Sequence, residues 1–421
     1  MHKSQFKIRR PASQAFIPMR FTSLCLLAVL LMAPAAQSAD WPCFRGQNFN
    51  QIAPDTGINK NWNQRAPKTL WKITLGDNDP LAPVCVASGR LFIVDHDQQE
   101  DVVRAIDTAT GKELWHFKYA EPITSNYGYT LTTPLVLDGK VYTFSRMGKA
   151  HCLNAETGQV VWNRDLAADT KATRPQYFYC SSPITDGQNV IFGPNGEDNA
   201  SIVALNKDTG KTVWKSGGVT VSYSTPVLAT LNGKKQYVIF LTEGLYGLDP
   251  ATGQQLWHVP WVTKYKSKKS SSPVIIGNRI MVVTDNGGDA GLVDVANDKP
   301  TLVWQHKELQ GTFETPLYYH GRVYTSIEPK HLACVDPATG KTLWKEPLPL
   351  NSSFVGVDDT VIVLSGTTGE LIMLDATAPD YKELGRFTPL VGNGKSWVAP
   401  IISNGRLFVR NAKELVCLDL K

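Results

Sequence analysis

Short apolar runs alternate with Gly-containing turns along most of the chain, which is typical of a protein built from short β-strands. Asp138-Gly139 is a two-residue hairpin signal, because glycine supplies the positive φ that such a turn needs. Glu156-Thr157-Gly158 is the next turn, again closed by glycine. The segment around these two turns forms one unit with four predicted strands, at Pro134–Leu137, Val141–Ser145, Ala150–Asn154 and Val160–Arg164.

This unit recurs along the chain. The repeat is degenerate: a Ser/Thr-Pro-Val-like start leads to a second half resembling Ala-x-Asp-x-x-Thr-Gly-Lys-x-x-Trp. The period of about 40 residues is the signature of a repeat architecture. The clearest copies of the second half are Ala105–Trp115, Ala204–Trp214, Gly247–Trp257 and Ala333–Trp344. The starts fall at Pro83, Pro134, Pro183, Pro226, Pro273, Pro316 and Pro400, with a degenerate eighth at Ser352-Ser353-Phe354. We therefore predict an all-β fold, an eight-bladed β-propeller of four-stranded antiparallel blades.

The two ends of the repeat array predict how the ring closes. The last unit, Trp397–Leu420, supplies only three strands. An unattached strand, Thr69–Leu75, precedes the first unit and carries Trp71 at the position of the other fourth-strand tryptophans. We expect this N-terminal strand to complete blade eight, which removes an open sheet edge.

The repeated tryptophans permit two interpretations, stacking on a ligand or packing between blades. The tryptophans recur at the same strand position in blade after blade. This regularity favours packing, because a buried Trp contributes a large apolar area. Blade seven has no Trp at this position, near Leu384. The set comprises Trp71, Trp115, Trp162, Trp214, Trp257, Trp304 and Trp344.

Residues 1–39 have the pattern of a secretory signal peptide: a basic residue, an apolar run at Leu24–Met32 and small residues up to Ala39. The apolar run is too short to span a membrane. Cys43 lies in no lipobox-like context, so we expect a periplasmic or secreted protein without a lipid anchor. Residues 40–68 form a leader, with Trp41 and Phe44 as expected anchors to the propeller wall, and residues 69–421 form the propeller.

The charge balance bears on the class of partner. Beyond residue 39 the chain carries 38 basic and 38 acidic residues, so global charge gives no support to nucleic-acid binding. One basic run, Lys264–Lys269, is either a solvated loop or a docking patch for an acidic partner.

The cysteines do not point to a metal site. Cys152, Cys334 and Cys417 occupy the same third-strand position in different blades, too far apart to form disulfides with one another. The pairing of Cys43, Cys85 and Cys180 stays open, and no Cys/His cluster has zinc-ligand spacing.

The blade signature, over about residues 69–420, resembles the pyrroloquinoline quinone (PQQ) repeat family, and Asp40-Trp41-Pro42-Cys43-Phe44-Arg45-Gly46 is similar to the leader of its BamB-like members. The resemblance implies either a PQQ-dependent alcohol dehydrogenase, with PQQ and Ca²⁺, or a non-catalytic BamB-like scaffold. The adjacent Cys-Cys pair that the dehydrogenases usually carry is missing, which favours the scaffold with no cofactor.

The candidate binding site lies where the loops after each second strand surround the mouth of the central channel. The hairpin face, with short turns such as Ser88-Gly89 and Asn404-Gly405, is expected to be plain. At the mouth, Glu314 replaces the small residue found at this position in other blades. These polar groups either bind a ligand or pair with one another. The candidates are His96, Arg146, Glu243, Asp285, Glu314, Glu328, Trp397 and Arg410.

We therefore expect a monomeric, non-catalytic scaffold that binds envelope proteins through its loop-rich face, including the connections Ala120–Leu131 and Asp165–Cys180. A PQQ-dependent alcohol or sugar dehydrogenase with its cofactor in the channel is the alternative. A glycan- or protein-binding propeller with an exposed aromatic patch is the third hypothesis.

Overall fold

The structure is a computed structural model, and it describes residues 1–2, 39–76, 82–122, 130–263, 269–284, 289–296, 299–309, 314–327, 330–348, 351–391 and 395–421. The chain divides into two compact units, Met1–Gln37 and Ser38–Lys421. The second unit holds every described strand, arranged as eight separate four-stranded antiparallel sheets. This is the eight-bladed β-propeller that the repeat predicts. The signal-peptide prediction falls almost entirely on residues outside the described ranges.

Blades one to four follow the predicted repeat closely, and in blade two each strand boundary lies within a residue or so of the predicted one. Blade one consists of β2 (Cys85–Ala87), β3 (Arg90–Asp97), β4 (Glu100–Asp107) and β5 (Glu113–Ala120). Blade two consists of β6 (Leu135–Leu137), β7 (Lys140–Phe144), β8 (Lys149–Asn154) and β9 (Val160–Asp165), followed by the one-turn helix α1 (Leu166–Asp169). Blade three consists of β10 (Ile184–Thr185), β11 (Asn189–Phe192), β12 (Ile202–Asn206) and β13 (Thr212–Ser216). Blade four consists of β14 (Val227–Leu231), β15 (Lys234–Leu241), β16 (Gly244–Leu248) and β17 (Gln255–Pro260).

Blades five to eight repeat this arrangement. Blade five consists of β18 (Val274–Ile276), β19 (Arg279–Val283), β20 (Ala290–Asp294) and β21 (Thr301–His306). Blade six consists of β22 (Leu317–Tyr319), β23 (Arg322–Ile327), β24 (His331–Val335) and β25 (Thr342–Pro347). Blade seven consists of β26 (Ser353–Val357), β27 (Thr360–Leu364), β28 (Leu371–Asp375) and β29 (Glu383–Phe387). Blade eight consists of β30 (Ile401–Ser403), β31 (Arg406–Arg410), β32 (Glu414–Asp419) and the N-terminal strand β1 (Lys68–Thr74).

The ring closes as predicted, because β1 pairs antiparallel with β32. Lys68 lies opposite Asp419, and Trp71 lies opposite Cys417. Strand β32 thus has a neighbour on both sides, and neither end of the repeat array leaves it as an exposed sheet edge.

Five of the seven repeated tryptophans donate an indole N–H bond to the outer turn of the next blade and so staple the two blades together, which confirms the packing interpretation. Trp257 instead donates to Gln236 of its own blade. In blade one, the indole N–H of Trp115 donates a hydrogen bond of 3.1 Å to the carbonyl of Ala155, in the outer turn of blade two. Gly158 closes that turn with a φ of 74°, and a Cβ built there would lie 2.6 Å from the Trp115 ring. Equivalent bonds join Trp71 to Thr108, Trp162 to Lys207, Trp214 to Pro250 and Trp304 to Pro337.

Blade seven lacks this tryptophan for a reason that the ring closure supplies. Its neighbour, blade eight, takes its fourth strand from the other end of the chain, so it has no outer turn on which a tryptophan could pack. Trp62 of the leader fills the space instead: its side chain is buried and its ring lies 5.2 Å from that of Phe387, edge to face. A Cβ on Gly385 would lie 2.7 Å from the Trp62 Cβ, so the glycine permits this close approach.

Candidate functional site

The leader contacts the innermost strands of the ring, and so reaches further in than the predicted attachment to the propeller wall. Trp41 and Val86 exchange two backbone hydrogen bonds of 2.8 Å, which add the leader to the innermost strand of blade one. The N–H of Val136 in blade two donates to the carbonyl of Pro42 at 2.7 Å. Further along the leader, the N–H of Ala53 donates to the carbonyl of Gly356 in blade seven at 2.8 Å, and the side chain of Arg45 reaches blades five and six. The leader therefore crosses the central channel.

Arg45 lies in the middle of this crossing. Its guanidinium donates to the carbonyl of Pro273 at 3.1 Å and to that of Pro316 at 3.4 Å, in blades five and six. Only 4% of Arg45 is exposed, and burial lowers its pKa to about 9, so it stays charged at neutral pH. The chain's own cation thus occupies the channel at the level where the inner strands begin.

The hairpin face is not plain, contrary to the sequence-based expectation. Asp40 accepts a hydrogen bond of 3.1 Å from the N–H of Ser88, in the inner hairpin of blade one. Asp358, in the inner hairpin of blade seven, accepts one of 3.1 Å from Ile58. The expectation was wrong because these contacts join the leader to hairpins 48 and 300 residues further along the chain, which no local pattern reveals.

A ring of hydroxyl side chains links the starts of successive inner strands. The N–H of Thr133 donates to Oγ of Ser182 at 2.9 Å, and the N–H of Ser182 donates to Oγ1 of Thr225 at 3.0 Å. The series continues from Thr225 to Ser272 at 3.1 Å and from Ser272 to Thr315 at 2.9 Å. The Ser or Thr before the start Pro therefore links neighbouring blades from blade two to blade six at the channel mouth.

His96, one of the predicted site residues, belongs to a buried polar network. Its Nδ1 lies 2.8 Å from Oδ1 of Asp101, and its Nε2 lies 3.0 Å from the carbonyl of Gln98. Tyr119 donates to the other oxygen of Asp101 at 3.0 Å. Burial raises the pKa of Asp101. Burial alone would lower the pKa of His96, but the hydrogen bond and the charge of Asp101 outweigh it, so the pKa of His96 is raised. Because His96 and Asp101 are each 1% exposed, this pair does not face solvent.

Arg146 is also buried, with 1% of its surface exposed. Its guanidinium carbon lies 3.7 Å from the centroid of the Phe178 ring, and that of the exposed Arg174 lies 4.8 Å from the same centroid. Phe178 has a φ of 66°, in the left-handed region that few residues other than glycine adopt. The connection between blades two and three is therefore fixed by cation–π contacts at the loop-rich face.

Arg410, on the other side of blade one, is 1% exposed, and its Nη1 donates to the carbonyl of Ala82 at 3.3 Å. Among the described residues, its Nε and Nη2 have no hydrogen-bond acceptor. Burial lowers the pKa of Arg410 to about 10, while the charge of Asp95 acts against this shift. This edge of the guanidinium is the one that binds a carboxylate in a bidentate manner.

The other candidates differ in their surroundings. Glu243 is exposed, and Glu314 and Trp397 are half-buried and engaged by neighbouring groups. The Lys395 ammonium lies 4.8 Å from the Trp397 ring centroid. Asp285 and Glu328 lie outside the described residues, so the role predicted for the whole set stays a prediction.

Of the basic run, residues 264–268 also lie outside the described ranges. Lys269 is fully buried, and its ammonium donates to the carbonyl of Trp261 at 2.9 Å.

Two groups that matter here were missed from the sequence. Asp101 follows His96 by five residues, and the hairpin register that places Asp101 opposite His96 could have revealed the pair. Glu121 is fully buried, accepts from Ser145 at 3.0 Å and forms an ion pair of 3.1 Å with Lys149. Burial and the charge of Asp101 raise the pKa of Glu121. It lies in an irregular connection, where no repeat position marks it.

The described residues do not form the calcium site that a calcium–quinone centre needs. Within those ranges, no group of three or more His, Cys, Asp and Glu residues is arranged to hold a metal ion, whereas Ca²⁺ takes six to eight oxygen ligands. Arg146 and Arg410 lie buried in the blades on either side of blade one. We therefore derive no catalytic step through such a cofactor.

Comparison with known proteins assigns the fold to a family. A family model described as outer membrane protein assembly factor BamB matches residues 99–346 and 328–419. The chain belongs to this family of PQQ-like propellers. It is 24% identical over 372 residues to outer membrane protein assembly factor BamB of Yersinia pestis, which covers 83% of this chain and 78% of that protein. It is also 24% identical over 331 residues to quinoprotein ethanol dehydrogenase of Pseudomonas aeruginosa, covering 68% of this chain but only 50% of that enzyme.

Solved structures of both kinds share the fold. The BamB structure from Moraxella catarrhalis superposes with a TM-score of 0.62 at 16% identity, covering 84% of this chain and 99% of that one. The quinohemoprotein alcohol dehydrogenase of Comamonas testosteroni gives a TM-score of 0.67 at 16% identity, covering 92% of this chain and 81% of that one. At this identity the likeness concerns the fold alone. Among the described residues, no helix has the length and apolar character needed to cross a bilayer.

Proposed function

We propose that this protein is a non-catalytic scaffold of the cell envelope that binds a partner protein through its loop-rich face. The observation that carries the proposal is the burial of the predicted ligand-binding residues. His96, Arg146 and Arg410 are each 1% exposed, and protein groups surround them. They support the loops at the mouth and present little of themselves to a substrate. The match covers 78% of the Yersinia pestis BamB but only 50% of the ethanol dehydrogenase, which agrees with this function.

The connection between blades two and three is the part of this face best suited to a partner. It exposes Arg174 beside the half-buried Tyr177 and Phe178, and its backbone is tied down because the N–H of Tyr177 donates to the Tyr223 hydroxyl at 3.1 Å. Arginine and tyrosine are enriched where proteins bind proteins. A fixed loop also loses little conformational entropy when it binds. The proposed partner is an envelope protein and the proposed state of the free scaffold is a monomer, exported by the predicted signal peptide.

Site-specific photo-crosslinking in cells tests this function. A photoreactive residue replaces Arg174, and the matched control replaces Lys211, an exposed residue in the outer turn of blade three. We expect a discrete envelope-protein adduct from position 174 that is absent at position 211 and is lost when Tyr177→Ala is added. Equal labelling at both positions, or no adduct at position 174, would count against the scaffold.

A PQQ-dependent oxidoreductase is the second candidate, and the Arg410 edge without acceptors favours it, because PQQ carries carboxylates that such an edge binds. Titration of the mature chain with PQQ and Ca²⁺, followed by calorimetry and quinone absorbance, separates the two functions. Saturable binding of one PQQ that is weakened in Arg410→Met and in Glu314→Ala would replace the scaffold proposal. We expect no saturation at high micromolar PQQ.

A further inference from the structure

Adjacent blades are separated by grooves at the hairpin side, and two of these grooves differ in how they are filled. Between blades two and three, the Lys207 side chain lies in the groove: its ammonium pairs with Asp138 of blade two and donates to the carbonyl of Gly187 at 3.1 Å. Beside it, Lys140 pairs with Asp208 at 3.0 Å. The side chains of the two blades thus close this groove.

The groove between blades one and two lacks the filling side chain. The turn Asn154-Ala155-Glu156-Thr157-Gly158 corresponds to Asn206-Lys207-Asp208-Thr209-Gly210, since each accepts the tryptophan N–H of the preceding blade at its second residue. Ala155 therefore stands where Lys207 stands in the next groove. A cavity of about 370 Å³ opens at this place, lined by Ala155 and by residues of both inner hairpins. This volume lies at the lower end of the range of small-molecule sites.

The lining combines an apolar wall with a cationic group that lacks a full set of partners. Phe92, Val136 and Val161 supply apolar surface. Arg90 lines the same cavity and is partly exposed, and no described residue forms an ion pair or a hydrogen bond with its guanidinium. A carboxylate is the group that pairs best with a guanidinium, through two parallel N–H···O bonds.

The remaining charges limit the ligand to a single negative charge. Of the ionic groups in the lining, Lys140 is already paired with Asp208, and Asp138 is already paired with Lys207. Glu156 also lines the cavity and is exposed, so it opposes a second negative charge on a ligand. A phosphate dianion therefore fits the site less well than a monocarboxylate with an apolar body.

We propose that the cavity between blades one and two binds a small amphiphilic monocarboxylate, with the carboxylate on Arg90 and the apolar body against Phe92, Val136 and Val161. A free acid and the C-terminal residue of a peptide share this chemistry. The site lies on the hairpin side, apart from the loop-rich face, so it does not depend on the scaffold function.

Ligand-observed saturation-transfer NMR with the mature chain tests the proposal. N-acetyl-leucine is the probe, N-acetyl-leucinamide is its uncharged counterpart, and a tripeptide ending in leucine distinguishes peptide C-termini from free acids. We expect saturable binding of N-acetyl-leucine with a Kd on the order of 1 mM. The amide should bind about tenfold or more weakly, because it cannot accept a charge-assisted bond from Arg90. Equal binding of acid and amide, or no saturation of the acid, overturns the proposal.

Substitutions in the turn locate the binding. Ala155→Lys places in this cavity the side chain that fills the next groove, and Ala155→Met fills it without adding charge. Both should abolish binding while leaving the circular dichroism spectrum unchanged. Ala109→Lys, at an exposed position in the outer turn of blade one, adds the same charge elsewhere and should bind as the parent does. Arg90→Gln should remove the preference for acid over amide. Unchanged binding in both Ala155 variants would show that the probe binds elsewhere.

Discussion

Gly158→Ala tests whether the tryptophan staples carry stability, and Gly139→Ala is its matched control. Both glycines lie in blade two with nearly the same backbone, φ 74° and φ 70°. Alanine costs roughly 1–2 kcal/mol in this region, offset by roughly 0.4–1 kcal/mol from the stiffer unfolded chain. A Cβ at Gly139 meets no atom within 4 Å, so Gly139→Ala should destabilise the fold by about 1 kcal/mol.

At Gly158 the new methyl group must also displace the Trp115 ring, since its Cβ would lie 2.6 Å from a ring carbon. Such overpacking costs about 1–3 kcal/mol, which brings the total for Gly158→Ala to about 2–4 kcal/mol. A unit of this size unfolds with an entropy of ~0.8 kcal/mol per kelvin, so the melting temperature should fall by about 1 °C for Gly139→Ala and about 3–5 °C for Gly158→Ala.

Calorimetry of the two variants, each alone and combined with Trp115→Ala, is the assay. If the ring is the obstacle, Gly158→Ala in the Trp115→Ala background should cost no more than Gly139→Ala does. Equal melting temperatures for the two single variants, or an undiminished effect without the ring, would refute the stapling argument.

Other features lead to further predictions. Trp62→Ala should destabilise the fold by about 3–5 kcal/mol, because it leaves a cavity over blade seven, whereas an exposed leader residue such as Gln64 should tolerate alanine; urea unfolding measures both. The raised pKa of Glu121 means that the folded state binds its proton more tightly, so this group's contribution to stability is lost as the pH rises above 4.5 through the raised value. The stability difference between the parent and Glu121→Gln should therefore move against the parent as the pH rises above 4.5, and a difference that is flat or of opposite slope would contradict the shift.

The repeat predicts the ring well because the same sequence pattern recurs in successive blades. Period, hairpin glycines and the tryptophan position recur, so an unclear copy such as Ser352-Ser353-Phe354 is interpreted from its neighbours. The leader occurs once, and its contacts reach across hundreds of residues, as between Gln51 and the carbonyl of Pro400 at 3.1 Å. Its path across the channel could therefore not be predicted.

The candidate site shows a similar limit. Position in the repeat places His96, Arg146 and Arg410 near the mouth, but it cannot tell whether a polar side chain faces solvent or the space between two blades. That depends on side-chain partners such as Asp101, across the β3–β4 hairpin, and Phe178, in the irregular connection between blades two and three. The cavity at Ala155 becomes visible only when one groove is compared with the next.

The closing strand also determines when the molecule can fold. Synthesis delivers β1 and the leader first, whereas their partners β32, Gly356 and Pro400 emerge last. Contacts of such high sequence separation slow folding, and until the final residues arrive β1 and the growing array present unpaired edges that can aggregate. A chain that lacks β32 would leave β1 without a partner strand and β31 paired with β30 alone. The pairing of β32 is thus a condition for a closed ring.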